Sequence, residues 1–165
     1  MKTALYVGKP SWGKGIDLFV DALARVEAGG VVVGAGPLYG EVASRALGLP
    51  VVFMGQIAHG FMPGYYRRAD VTVVPSRWQE PFGRVALEAL WYGCPLVVTR
   101  CGGLPEIAAH GQAIVVEPSA QAIAEGIVEM LAQLRQPPDR ERLRKAFGET
   151  PVRAHLDMYR GLLCP

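Results

Sequence analysis

The chain has 165 residues, half of them apolar, which suits one compact domain over residues 1–165 with no room for a second. A net charge of +2 is too weakly basic to indicate a nucleic-acid partner. Three cysteines form no C-x-x-C pair, and no apolar run approaches the roughly 18 residues of a transmembrane helix, so we expect a cytoplasmic protein without a structural metal.

Short, continuously apolar runs alternate with helix-length segments along most of the chain. Six runs are predicted as strands: 3–8, 30–34, 51–55, 71–75, 95–99 and 113–117. Strands without polar alternation are buried on both faces, which indicates a parallel sheet covered by helices on each side. The sequence therefore predicts a doubly wound, Rossmann-like α/β domain of about six strands.

The intervening segments are predicted as helices: 16–27, 38–47, 65–69, one bearing Glu80 and Glu88, and 120–134. Asp17 and Ser119 mark two helix starts by capping chemistry. After a Pro-Pro break, residues 136–165 are predicted as C-terminal helices, of which the first is densely charged and expected to be solvated. The last is amphipathic, with apolar residues at positions 152, 156, 159 and 163.

The first loop, GKPSWGKG, follows the first strand and carries two lysines. In an open parallel sheet ligands bind beyond the carboxyl ends of the strands, so Lys9 and Lys14 lie where a diphosphate could be held at a helix N-terminus. The alternative is an ordinary glycine-rich turn with solvated lysines. The loop alone does not decide between them.

The second loop, GAGPLYG, lacks the spacing of a dinucleotide-binding fingerprint. Its third glycine is one residue late, it follows the second strand, and no acidic residue lies about twenty positions on. A nicotinamide enzyme is therefore disfavoured. Gly34 and Gly36 offer a close backbone approach, useful for a flat base or for a tight turn.

The stretch EPFGRVALEALWYGCP places Glu80 and Glu88 on either side of a predicted helix start. Pro81 suits the first helical position, and eight residues at helical rise span about 12 Å, comparable to the distance from a sugar to a ribose across a diphosphate. The alternative is structural, with Glu80 as a capping acid and Glu88 paired with Arg84 one turn earlier.

Taken in order, the segments YVGKPSWGKG, VVVGAGP, VVFMGQI, YYRRADVTVVPS and EPFGRVALEALWYGCPLVVTRCGGLPEI resemble the C-terminal, donor-binding half of retaining GT-B glycosyltransferases of family 4. The resemblance covers about residues 5–134. It implies a nucleotide-sugar site, with no cofactor, and an acceptor-binding N-terminal domain as partner, in cis or in trans, which this chain lacks. We therefore expect the chain alone to be half an enzyme, inactive in transfer.

The resemblance also implies roles for individual residues. Glu88 would hold the ribose hydroxyls, and Glu80 would position the donor sugar at the catalytic centre. The residues that would surround the rest of the donor are Lys9 and Lys14 at the diphosphate, Phe82 and Gly83 through their amides, and Gln56, Ile57, Gly34 and Gly36 near the base. Because the sequence has no D-x-D motif, the lysines and helix dipoles would neutralise the diphosphate without a metal.

The sequence departs from the family pattern at three positions. Lys9 replaces the commoner arginine, and a point charge replaces a bidentate fork. Ala35 stands where the family often has aspartate, and Ala113 where glycine is usual. A second hypothesis is therefore a non-catalytic binding or interaction module with a vestigial site. A third, a phosphosugar epimerase of related fold, would need a histidine beside paired carboxylates, whereas His59 and His110 are expected at the surface.

Overall fold

The computed structural model describes residues 1–148 and confirms the alternation of strands and helices. The strands are β1 (Thr3–Val7), β2 (Gly29–Val33), β3 (Val51–Gly55), β4 (Val71–Val74), β5 (Leu96–Thr99) and β6 (Ala113–Val116). The helices are α1 (Ile16–Leu23), α2 (Tyr39–Arg45), α3 (Met62–Arg68), α4 (Arg84–Trp91), α5 (Leu104–Ala108), α6 (Ala120–Ala132) and α7 (Arg140–Phe147).

The six strands form one sheet in the order β3-β2-β1-β4-β5-β6, and every neighbouring pair is parallel. Leu5 of β1 lies opposite Val31 of β2 on one side and Thr72 of β4 on the other. The order reverses between β1 and β4, so the chain winds outward from the centre in both directions. The doubly wound α/β prediction is confirmed.

Two apolar clusters sandwich the sheet. One packs α1, α2 and α6 against one face, and the other packs α3, α4, α5 and α7 against the opposite face. Adjacent residues of β1 divide between them, because Tyr6 belongs to the first cluster and Leu5 to the second. This division explains the unbroken apolar runs of the inner strands, which need apolar side chains on both faces, whereas the edge strand β3 leaves Val52 55% and Met54 41% exposed.

The helix ends agree with the capping signals, with small differences. The Ser119 hydroxyl accepts a hydrogen bond from the Ala122 amide at 3.2 Å, as predicted. Helix α1 begins at Ile16, so Asp17 lies in its first turn instead of preceding it. None of the helices in residues 1–148 could cross a bilayer, the longest having 13 residues.

The charged segment before position 148 differs from its prediction. Helix α7 is not fully solvated: Leu143 is only 2% exposed and packs in the core. Its last residue, Phe147, meets the ring of Phe82 edge-on at 5.9 Å. The predicted amphipathic helix bearing positions 152, 156, 159 and 163 lies outside the described residues.

Arg135, in the connection between α6 and α7, joins the ends of α3 and α4. Its guanidinium donates to the carbonyls of Arg67 at 3.0 Å and Ala69 at 3.1 Å, to that of Tyr66 at 3.4 Å, and to that of Gly93 at 2.6 Å. The last carbonyls of a helix have no partner within the helix, so a fork of N–H donors stabilises the chain at this point.

We expect Arg135→Ala to lower the free energy of unfolding by about 2 to 3 kcal/mol, because hydrogen bonds from a charged donor contribute about 1.5 to 3 kcal/mol and water replaces part of the loss at this exposed site. Urea unfolding of the parent and the variant measures the change. The matched control is Arg25→Ala, since the exposed side chain of Arg25 forms no hydrogen bond or ion pair within residues 1–148. Equal losses of stability for the two variants would mean that the hydrogen bonds of the Arg135 guanidinium do not stabilise the fold.

Candidate functional site

A cleft of about 350 Å³ opens at the carboxyl ends of β1 and β4. These strands are neighbours, but the helices that follow them, α1 and α4, lie on opposite faces of the sheet. This is the switch point of a doubly wound sheet, where such folds bind ligands. Among the residues that line the cleft are Lys9, Lys14, Ser76, Glu80, Phe82 and Gly83.

Helix α4 begins at Arg84, three residues later than the prediction that used Pro81. Gly83 precedes it in a left-handed conformation, with φ of 77°, so the helix does not extend back to Pro81. Glu80 lies outside the helix, as predicted, but residues 80–83 are not helical, so the helical rise behind the 12 Å estimate applies only from Arg84 onward. No side chain caps α4, and although the Ala86 amide donates to the Gly83 carbonyl at 2.9 Å, the Arg84 and Val85 amides have no partner within residues 1–148 and can face an anion in the cleft.

Glu80 is the centre of a compact polar group in the cleft. Its Oε2 forms an ion pair with Lys14 Nζ and accepts a hydrogen bond from Trp78 Nε1 at 3.2 Å, while the Ser76 hydroxyl lies 3.5 Å away. The Lys14 ammonium also lies 4.8 Å from the centre of the Trp78 ring. With the side chain of Glu80 only 14% exposed, the lysine compensates a carboxylate that is mostly removed from water.

A second ion pair fastens the loop after β4 to α1. Arg77 donates two hydrogen bonds of 2.6 Å to the carboxylate of Asp17, in the bidentate geometry that arginine favours. Burial would raise the pKa of Asp17, but the hydrogen bonds and charge of Arg77 outweigh it and hold that pKa below its usual value. The Arg77 amide also donates to the Gly13 carbonyl at 2.9 Å. These bonds fix the two loops that form the walls of the cleft.

Glu88 lies in the second turn of α4 and does not line the cleft of Lys9 and Lys14. It borders an apolar groove of about 320 Å³ between α4 and α7, together with Trp91. Its Oε2 accepts a hydrogen bond from the Tyr66 hydroxyl at 2.8 Å. The alternative pairing with Arg84 is not found among residues 1–148.

The glycine turn after β2 lies close to the first loop. A methyl group on Gly34 would come within 1.8 Å of the Gly8 carbonyl oxygen, and one on Gly36 within 2.6 Å of that of Pro10. The Gly34 amide donates to the carbonyl of Gly55 at 2.7 Å. The predicted close backbone approach at Gly34 and Gly36 is present, and it is made to the protein's own loops.

Gln56 and Ile57 line a third recess, of about 840 Å³, between β3 and α3. Met54 lies beside them and is 41% exposed, and Tyr65 of α3 forms the opposite wall. The structure thus groups Lys9, Lys14, Glu80, Phe82 and Gly83 in one cleft. It places Glu88 in a groove of its own and Gln56 with Ile57 in another recess.

None of the histidines and cysteines in residues 1–148 lines the cleft. His59 is exposed, and His110 is half-buried with its ring 5.0 Å from that of Phe147. Cys94 and Cys101 are buried free thiols, and burial raises the pKa of Cys94 to about 11. Within residues 1–148 there is no group of three or more His, Cys, Asp or Glu residues that could hold a metal ion.

Sequence reasoning did not assign several residues that the structure places at these sites. Tyr66 and Arg77 bind carboxylates on other elements, and Ser76 lines the cleft beside Glu80. Tyr66 occurs in the segment YYRRADVTVVPS that contributed to the family resemblance, but no role followed from its position. Its partner lies 22 positions away, beyond the reach of any local pattern.

Comparison with known proteins identifies the family. A sequence profile described as "Glycosyl transferases group 1" matches residues 1–133. The chain belongs to the glycosyl transferases group 1 family. The family resemblance carried by the motif order is thereby confirmed.

Three related proteins illustrate the relationship. The GDP-mannose-dependent alpha-(1-6)-phosphatidylinositol dimannoside mannosyltransferase of Mycobacterium tuberculosis is 34% identical over 148 residues, covering 86% of this chain and 38% of that protein. Sucrose-phosphate synthase from Thermosynechococcus elongatus matches with a TM-score of 0.84 and 33% identity, over 98% of this chain and 45% of that one.

The third is Alr3699/HepE of Anabaena, solved in complex with UDP-glucose, which matches with a TM-score of 0.68 and 25% identity over 86% of this chain and 40% of that one. The chain therefore spans less than half the length of each of these relatives.

Proposed function

We propose that this chain is the donor-binding domain of a retaining, metal-independent glycosyltransferase, and that its cleft holds the diphosphate of a nucleotide sugar. The observation that carries the proposal is the uncapped N-terminus of α4, which opens beside Lys9 and Lys14 at the switch point of the sheet. Free amides and two ammonium groups match the charge and the oxygen acceptors of a diphosphate. Membership of the group 1 family supports the same ligand class.

The ion pair between Lys14 and Glu80 offers a cation for the diphosphate of the donor and a carboxylate for its sugar hydroxyls. A diphosphate entering the cleft competes with Glu80 for the Lys14 ammonium, because both offer anionic oxygens. As Lys14 turns towards phosphate, an oxygen of Glu80 becomes available to a sugar hydroxyl. In this proposal the same pair serves both parts of the donor, with Glu80 positioning the sugar.

The remaining parts of the donor follow from the neighbouring residues. Glu88 would accept hydrogen bonds from the ribose hydroxyls, and the base would lie towards Gln56, Ile57 and the Gly34–Pro37 turn.

In the transfer reaction, an acceptor hydroxyl attacks the anomeric carbon on the face from which the diphosphate leaves. The carbon–oxygen bond to the diphosphate breaks, and the departing phosphate oxygen takes the hydroxyl proton. No cofactor takes part, and Lys9, Lys14 and the α4 amides stabilise the leaving charge.

We expect Glu88→Gln to weaken binding of the cognate nucleoside diphosphate by about 1.5 to 3 kcal/mol, because the neutral amide forms weaker bonds to ribose hydroxyls than the carboxylate does. Calorimetric titration with UDP, GDP and ADP, with and without EDTA, measures the loss. Glu129→Gln on the exposed side of α6 is the matched control. Equal affinity of the Glu88 variant and the parent would assign Glu88 to packing, and an EDTA-sensitive affinity would contradict metal independence.

Lys9→Ala and Lys14→Ala are expected to weaken diphosphate binding far more than binding of the bare nucleoside, since their ammonium groups meet only phosphate oxygens. Each variant should also show a smaller salt dependence of the affinity, because fewer opposite charges are brought together. The control is Lys145→Ala, whose ammonium forms an exposed pair with Glu141 on α7. If both cleft variants bound the diphosphate like the parent, the first loop would be only a turn.

A binding module with a vestigial site is the second candidate, and the location of Glu88 favours it. Glu88 lines a different groove from the lysines, so the ribose and diphosphate contacts are not joined in one cavity here. The titrations above separate the two functions, because a vestigial site would bind none of the three nucleotides. An epimerase is not supported, since neither His59 nor His110 lines the cleft.

A further inference from the structure

Helices α3 and α4 meet at a buried tyrosine that contacts Glu88. Tyr66 is 0% exposed, and its hydroxyl donates to Glu88 Oε2 at 2.8 Å. The Tyr66 ring stacks on that of Tyr92 at a centroid distance of 5.8 Å and an interplanar angle of 11°. The tyrosine is therefore fixed by packing as well as by its hydrogen bond.

The hydroxyl acts as a permanent donor to the carboxylate. Burial, followed by the charge of Glu88 and the hydrogen bond to it, raises the pKa of Tyr66 well above its usual value, so it keeps its proton. A carboxylate has about four acceptor positions on its two oxygens, and Tyr66 occupies one of them on Oε2. The other oxygen and one position on Oε2 remain for two ligand hydroxyls.

The backbone around Tyr66 is held as firmly as its ring. Arg135 donates to the carbonyls of Tyr66, Arg67 and Ala69, which fixes the end of α3. The hydroxyl is thus presented from a rigid element, which is the condition for setting the orientation of a second side chain. A glutamate free to rotate would lose rotamer entropy on binding a ligand, whereas a glutamate that is already oriented loses less.

We propose that Tyr66 is a positioning residue that orients the Glu88 carboxylate to accept the two hydroxyls of a ribose. The inference rests on the proposed function, because it takes Glu88 to be the ribose-binding residue. It adds a residue on α3 that contacts the ligand only through Glu88. Its removal should act on ribose recognition and leave recognition of the base and the diphosphate unchanged.

The test uses the 165-residue chain and four proteins: the parent, Tyr66→Phe, Glu88→Gln and the double variant. Each is titrated by calorimetry with the best-binding of UDP, GDP and ADP and with its 2′,3′-dideoxy counterpart, which lacks both ribose hydroxyls. The matched control is Tyr92→Phe. Tyr92 belongs to the same aromatic stack, and its hydroxyl forms no hydrogen bond within residues 1–148. Circular dichroism of each variant reports whether the fold is retained.

We expect Tyr66→Phe to weaken binding of the ribonucleotide about three- to tenfold, the range for one hydrogen bond, and to leave dideoxynucleotide binding within about twofold. In the Glu88→Gln background the same substitution should change ribonucleotide binding by less than about twofold, because the residue it positions is already altered. Tyr92→Phe should behave like the parent with both ligands.

Three results would overturn the inference, and each is distinguishable. If Tyr66→Phe weakened both ligands equally, the tyrosine would serve packing alone. If it weakened neither, the hydroxyl would not act on the site. If the parent bound none of the three nucleotides, the proposed function would fail together with the inference, whereas the first two results leave the proposed function standing. Should Tyr66→Phe fail to fold, Arg135→Ala, which releases the backbone that presents the Tyr66 hydroxyl, must show the same selective loss, and no such loss in the Glu88→Gln background.

Discussion

We expect the 165-residue chain by itself to transfer no sugar to any acceptor, although it binds the donor. Glycosyl transfer requires an acceptor hydroxyl held against the anomeric carbon in a site from which water is excluded, and such positioning is worth about 7 to 11 kcal/mol of the barrier. The rim of the cleft is open, because Trp12 is 66% exposed, Trp78 52% and Phe82 45%. One wall of this kind binds a donor but does not hold a second substrate.

The measurement is incubation of the purified chain with radiolabelled UDP-glucose or GDP-mannose and a panel of sugar, lipid and polyol acceptors. A parallel reaction supplies the N-terminal half of a group 1 glycosyltransferase, fused to the chain or added in trans, and activity is expected only there. Slow hydrolysis of the donor in both reactions serves as the background. Multiple-turnover transfer by the chain unaided would overturn the half-enzyme interpretation.

Gly15→Ala is the substitution from which we expect the largest loss of stability, about 3 to 5 kcal/mol. Gly15 has φ of 66°, and a methyl group there would lie 1.9 Å from the carbonyl oxygen of Pro75. The obstructing atom belongs to the backbone at the end of β4, so relief requires the two walls of the cleft to move apart. Left-handed strain in a residue with a side chain adds about 1 to 2 kcal/mol to that overlap.

Gly55→Ala separates the two contributions. Gly55 has φ of 67°, nearly identical to that of Gly15, but a methyl group there would meet nothing within 4 Å. We therefore expect a loss of only about 1 to 2 kcal/mol for this variant. Urea unfolding of the three proteins gives both values, and equal losses for the two variants would mean that the contact with Pro75 relaxes freely.

The strands were predictable because each is a short, unbroken apolar run between turn residues, and the inner strands are buried on both faces of the parallel sheet. The start of α4 was not. Pro81 has the backbone angle of a first helical residue, but Gly83 takes a left-handed conformation two positions later and delays the helix to Arg84. The charged residues of α7 are exposed as expected, but the packing of Leu143 and Phe147 against the core was not predicted.

Within the candidate site, the residue types could be predicted but their partners could not. Lys14 and Glu80 were assigned to different parts of the donor, yet they pair with each other across 66 positions of the chain. Arg77 and Asp17 pair across 60 positions. Such contacts depend on how two loops approach one another in space, which no local spacing encodes. The loop GKPSWGKG and the segment that begins at Glu80 were therefore recognisable as walls of the cleft, whereas the pairing of their charges depends on tertiary packing.

The cleft lies where the two halves of the sheet join, and this links donor binding to the cooperativity of folding. Lys9 and Lys14 belong to the half built from β1, β2 and β3, whereas Glu80 and α4 belong to the half built from β4, β5 and β6. A ligand bound to both halves acts as a reversible cross-link, which is lost when either half opens. At a hundredfold excess over its dissociation constant it adds about 2.7 kcal/mol to the stability of the whole domain. Amide hydrogen exchange in β2 and in β5, on opposite sides of the join, should then slow together.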